Sequence, residues 1–187
     1  MTLNKKSKIS LKDITLTALF VALISLFSQI VIPIGAIPIN LGLLAVFLAA
    51  GLLKPRNSVL SVAVFILLGT AGIPVFAGFC GGPGVILGYT GGYIMGYLPA
   101  VTVISILLHK FGKTPLSLSL SMSAGLLITY LCGTAWYVVV SNSATTVWTA
   151  LTVCVFPFIV GDILKIAISV ILCRRLEKTL KNFYNHR

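Results

Sequence analysis

Apolar residues run along this chain in long stretches. Short clusters of Lys and Arg, or of Gly and Pro, interrupt them, with no sustained amphipathic period. The first stretch predicts a helix from Asp13 to Ile32, after a basic amino terminus. A second, from Leu41 to Leu53, ends at Lys54-Pro55-Arg56, and a third covers Asn57 to Gly72. The fourth starts near Val85 and reaches the turn His109-Lys110-Phe111-Gly112-Lys113, and the fifth covers Leu116 to Val140. After the polar run Ser141 to Thr146, Val147 to Val153 reads as a short surface helix. A sixth long helix then starts near Pro157, a residue that a first helical turn tolerates. About 20 apolar residues cross the ~30 Å hydrocarbon core of a bilayer. The pattern therefore predicts an all-α integral membrane protein, a single domain over 1–187 built as a bundle of six transmembrane helices.

Composition agrees, since 58% of the 187 residues are hydrophobic and 9% are charged. The net charge of +11 would suit a nucleic-acid partner, but the position of the charges argues otherwise. Thirteen of the fourteen basic residues fall into four clusters at the ends of apolar segments: Lys5, Lys6, Lys8 and Lys12; Lys54 and Arg56; Lys110 and Lys113; Arg174, Arg175, Lys178, Lys181 and Arg187. Excess Lys and Arg marks the cytoplasmic ends of membrane helices. With both termini cytoplasmic, every cluster lies on one side and no outer loop carries a Lys or Arg. The run from Ile14 to Ile32 is too long for a signal-peptide core and lacks a small-residue cleavage site after it, so a retained helix is expected. A multi-pass protein of a plasma membrane is expected. Cys80, Cys132, Cys154 and Cys173 form no C-x-x-C pair, and with His109 and His186 they make no zinc arrangement.

Several connections are unusual. Pro33 to Asn40 is a turn with almost no polar side chain, and the segment after it is too short to span a bilayer. Both features place this turn against protein or over a cavity, as a candidate lid. Asn40 is its one hydrogen-bonding side chain, a helix cap or a ligand contact. Gly72 to Gly84 holds too much Gly and Pro for a regular helix, and its backbone around Gly78, Phe79 and Gly82 is able to present N–H and C=O groups to a ligand. Gly88, Gly92 and Gly96 recur every fourth residue, a groove for close packing of a neighbouring helix. Tyr89 and Thr90 fall beside that loop, within reach of a ligand, whereas Trp136 and Tyr137 read as interface anchors. Gly112-Lys113-Thr114 resembles the end of a phosphate loop, but Leu107 stands where that loop needs Gly, so ATP binding by this route is rejected. Ala18 and Ala22 form a small strip on the first helix, suited to close approach of another helix inside or outside the bundle.

The sixth helix carries the strongest signal. Asp162 and Lys165 interrupt its apolar run at i, i+3 spacing and so share one face. A charge at the centre of a membrane helix costs roughly 2.5–3.5 kcal/mol on insertion scales. A bare self-neutralising pair would explain insertion, and a ligand-binding face would explain retention.

Three runs occur in order: Gly72-Ile-Pro-Val-Phe-Ala-Gly78 followed by Gly81-Gly82, then Gly88-Tyr-Thr-Gly-Gly-Tyr93, then Pro157-Phe-Ile-Val-Gly-Asp-Ile-Leu-Lys165. Together they resemble the BioY family, the biotin-specific substrate-binding (S) components of energy-coupling-factor (ECF) vitamin transporters. The resemblance spans nearly the whole chain. It implies a high-affinity subunit that takes biotin from outside, with no cofactor, and works with a transmembrane coupling (T) protein and two ATPases. It also implies that Ala18 and Ala22 meet the coupling protein. Two positions depart from the family pattern: Tyr89 replaces a usual Pro, and Asn40-Leu41-Gly42 replaces a usual Thr-Leu-Gln.

In chemical terms, Asp162 is able to accept from a ureido N–H and Lys165 to donate to an oxygen, with Asn40 or the Gly-rich loop holding the far end. A solitary ion-coupled carrier is the alternative, since it needs only one buried carboxylate. An intramembrane enzyme is disfavoured, because the chain has three acidic residues and only Asp162 lies within an apolar segment.

Overall fold

The computed structural model describes residues 10–32, 39–141 and 146–185. In chain order these form α1 (Leu11–Gln29), a ribbon of β1 (Val31–Ile32) and β2 (Ile39–Asn40), α2 (Gly42–Leu52), α3 (Pro55–Thr70), α4 (Pro83–Leu87), α5 (Gly91–Phe111), α6 (Pro115–Val140), α7 (Val147–Cys154) and α8 (Ile159–Asn185). Apart from the ribbon the architecture is all-helical, and the six expected long segments appear as α1, α2, α3, α5, α6 and α8. By length and composition α1, α5 and α6 suffice to cross a membrane.

The basic clusters converge. Lys54, at the turn between α2 and α3, pairs with Asp13 in the first turn of α1. Lys54, His109, Lys113 and Glu177 line one pocket, which places the α5–α6 turn and the later part of α8 at that same end. The positive-inside rule makes it the cytoplasmic end.

Helix α2 organises the core. All eleven of its residues are buried, as expected for a helix that is apolar on every side. At 1.5 Å per residue it is about 16 Å long, roughly half the hydrocarbon thickness. Its carboxyl end lies at the cytoplasmic turn, so its amino end stops at mid-depth and leaves space above. The chain enters it through the ribbon, where Val31 pairs with Asn40 and Ile32 with Ile39. This pairing ends α1 at Gln29, three residues short of the expected Ile32. Residues 33–38, and with them most of the candidate lid, lie outside the described residues.

Small residues hold α5 against α6. A Cβ at Gly92 would overlap the Trp136 side chain, and one at Gly96 would lie 3.0 Å from the Cys132 Cβ. The expected glycine groove thus exists at 92 and 96, but Gly88 is not part of it. The fourth segment does not start as one helix near Val85: α4 is a short turn, and α5 begins at Gly91 after a corner. A Cβ at Gly91 would collide with the Ile86 carbonyl, so this corner requires glycine. Trp136, expected as an interface anchor, donates from Nε1 to the Gly88 carbonyl at 2.9 Å and fastens the corner to α6.

Candidate functional site

Asp162 stands in the first turn of α8, and its backbone N–H donates to the Phe158 carbonyl at 2.8 Å. One helical turn further, Lys165 Nζ donates to Asp162 Oδ1 at 2.7 Å. Tyr130 reaches across from α6, and its hydroxyl donates to Asp162 Oδ2 at 2.5 Å. The Lys165 and Asp162 side chains are only 7% and 5% exposed. Charges removed from water to this degree are tolerable only when paired and hydrogen-bonded, and both carboxylate oxygens have a donor here.

These groups form part of the wall of a cavity of about 350 Å³. Leu43 and Asn40 contribute the amino end of α2, while Ala77, Cys80, Val85, Gly88 and Thr90 contribute the connections at the outer end. Phe65, Phe76, Ile94 and Phe158 give it apolar walls. The cavity therefore sits above α2, on the side away from the basic clusters. Asn40 stands one residue before Leu41, the N-cap of α2, and lines the cavity. Its Oδ1 accepts the Gly42 N–H at 2.9 Å, which leaves the amide donors as its remaining polar group. Tyr97, buried on α5, meets the Asn40 side chain.

The Gly-rich connection closes on itself. The Phe76 N–H donates to the Cys80 carbonyl at 3.0 Å, and the Gly82 N–H donates to Gly69 at 2.7 Å. A Cβ at Gly81 would stand 2.5 Å from the Ile73 carbonyl, so the close approach depends on glycine there. Gln29 holds the loop to α1: Nε2 donates to the Val75 and Phe76 carbonyls at 3.0 and 3.1 Å, and Oε1 accepts the Phe79 N–H at 2.8 Å. Phe79 adopts a left-handed φ of 56° with an exposed ring. That is a costly conformation for a bulky residue, and the Gln29 bond helps to fix it.

Of the residues singled out in the sequence as ligand contacts, the structure brings Asp162, Lys165, Asn40 and Thr90 to one cavity. Gly78, Phe79, Gly82 and Tyr89 lie beside lining residues but outside the lining itself. Tyr89 instead packs on Tyr137 with ring centroids 5.4 Å apart. Ala18 and Ala22 are exposed on the outward side of α1, while Leu16, Phe20 and Ile24 form its buried side. The alanine strip therefore has no role in packing within the described bundle.

Sequence reasoning missed Tyr93, Tyr97, Tyr130 and Gln29. Membrane tyrosines usually gather near helix ends at the interface, so Tyr97 and Tyr130, well inside α5 and α6, were a usable signal. Gln29, a side-chain amide at the end of an otherwise apolar run, was another.

Fold and site together define a class: a multi-pass helical membrane protein with a cavity of small-molecule size above a half-length central helix. Residues 3–182 match the BioY family, and the chain belongs to that family. It is 44% identical over 168 residues to the probable biotin transporter BioY of Pyrococcus horikoshii, covering 89% of this chain and 96% of that one. Against the biotin transporter BioY of Thermotoga maritima it is 34% identical, covering 90% and 97%. Among solved structures, the S-component for biotin from an ECF-type ABC transporter superposes with a TM-score of 0.84 at 31% identity, covering 95% of each chain.

Proposed function

We propose that this protein is the biotin-binding S component of an ECF-type transporter, a non-enzymatic subunit that captures biotin at the outer side of the plasma membrane. The observation that carries this reading is the Tyr130–Asp162–Lys165 cluster, set in the wall of an otherwise largely apolar cavity. Ligand pockets of this kind are mainly apolar, with a few converging polar groups that fix orientation. Biotin matches that distribution, with a ureido ring, a thioether ring and an apolar tail ending in a carboxylate.

In this assignment Asp162 accepts a ureido N–H and Lys165 donates to the adjacent ureido carbonyl. The thioether ring and tail lie among Phe65, Phe76 and Phe158. The tail carboxylate is too distant for the same pair to hold, and an amide N–H of Asn40 is assigned to it. Gly78, Phe79, Gly82 and Tyr89 would join the site only through a movement of the outer connections. No cofactor is invoked. The partners are the ECF coupling protein in the membrane and two ATPases, and the exposed Ala18–Ala22 strip on α1 is assigned to the coupling protein.

Titration calorimetry of the purified protein with biotin tests the reading. Saturable one-to-one binding is expected, and purified protein that binds no biotin would remove it. Uptake in cells with and without the coupling protein and ATPases separates this component from a solitary ion-coupled carrier, which would transport in both.

A further inference from the structure

A carboxylate at the end of a short side chain turns readily, because its terminal torsion is broad and roughly two-fold. Lys165 restrains one oxygen of Asp162 from the same helix, through a long flexible stem. The second restraint comes from a different helix: Tyr130 on α6 donates to the other oxygen through a stiff side chain. An ionised carboxylate has about four acceptor sites and no donor. With two sites occupied, the remaining ones can only accept, from a ligand N–H or O–H, while Lys165 retains donors for a neighbouring ligand oxygen. The pair thus forms an acceptor–donor edge, complementary to the N–H and C=O on one side of a lactam or cyclic urea.

We propose that Tyr130 is the positioning residue of this site, acting through Asp162 to hold that edge in the plane of a urea-type or lactam ring. The proposal rests on the binding reading above and adds which group makes the edge selective. Tyr93, Thr134 and Gly133 explain why the phenol is well placed. The Tyr93 ring lies against Gly133, where a Cβ would overlap it, and its hydroxyl lies 3.5 Å from Thr134 Oγ1. This packing keeps α5 close beside the α6 turn that carries Tyr130.

A double-mutant cycle on purified protein tests the proposal, with biotin affinity read by calorimetry for wild type, Tyr130→Phe, Asp162→Asn and the double variant. A hydrogen bond to a charged group predicts about a tenfold or greater loss for Tyr130→Phe in the wild-type background. The same substitution should have little effect once Asp162 is Asn. An equal loss in both backgrounds would make Tyr130 a packing residue and overturn the proposal.

A second readout needs no ligand. The chain has only three acidic side chains, so the carboxylate infrared band lost in Asp162→Asn can be assigned. That band should shift in ligand-free Tyr130→Phe, and an unshifted band would equally overturn the proposal. If wild type binds no biotin, the functional reading fails while the infrared result still decides whether Tyr130 positions Asp162.

Discussion

Lys54 reaches from the α2–α3 turn to Asp13 in the first turn of α1, with Nζ 3.0 Å from Oδ1 and 3.2 Å from Oδ2. Asn57 Nδ2 completes the site at 2.9 Å from Oδ1. This clamp lies at the cytoplasmic end of the bundle, opposite the cavity. It ties α1, which carries the alanine strip, to the turn below the buried helix α2.

Asp13→Asn should therefore lower stability without altering the cavity. Because the Lys54 side chain is half exposed and an Asn still offers one oxygen to Asn57, losing the charge costs about 1 kcal/mol. The thermal midpoint in detergent should fall by several degrees, with biotin affinity unchanged. A variant whose affinity fell together with its stability would show that the clamp reaches the cavity through α2.

Gln29 is the equivalent tie at the outer end. Gln29→Ala removes three bonds to the Gly-rich connection, whose Phe76, Ala77 and Cys80 line the cavity. Amide exchange over residues 72–82 should accelerate, and biotin should bind about tenfold more weakly through the cost of ordering the loop. Unchanged protection would mean that the turn's own hydrogen bonds are sufficient to hold it.

Asp162→Asn should weaken binding more than any of these changes. An amide accepts less strongly than a carboxylate and leaves Lys165 buried without its counter-charge. About a hundredfold loss is expected, provided the variant still extracts as a monodisperse species. Full affinity in such a preparation would reduce the pair to a device for membrane insertion.

Ala18→Trp and Ala22→Trp address the outward side of α1. Both positions are exposed in the bundle, so a large side chain should leave biotin affinity of the isolated subunit near wild type. Pull-down with the coupling protein and ATPases should fail, and ATP-driven uptake should disappear. Loss of binding equal to loss of uptake would place the strip in the protein's own packing.

The all-helical membrane architecture and its orientation were legible in the sequence because both are local properties. Apolar length decides whether a segment spans, and basic residues at segment ends decide which side they face. Asp162 and Lys165 were legible for a related reason, since charges within an apolar run carry a cost that no local structure removes.

The tertiary structure decided which helices meet. Tyr130 and Asp162 are 32 residues apart, Asp13 and Lys54 are 41 apart, and Gln29 and Phe79 are 50 apart. Helical periodicity specifies which face a residue occupies, but carries no information about what lies opposite. The same limit hid the corner before Gly91: whether a glycine continues a helix or turns it depends on the backbone that crosses nearby, here the Ile86 carbonyl. The cavity itself exists because α2 ends at mid-depth with its neighbours closed around it, a relation among helices that no single segment encodes.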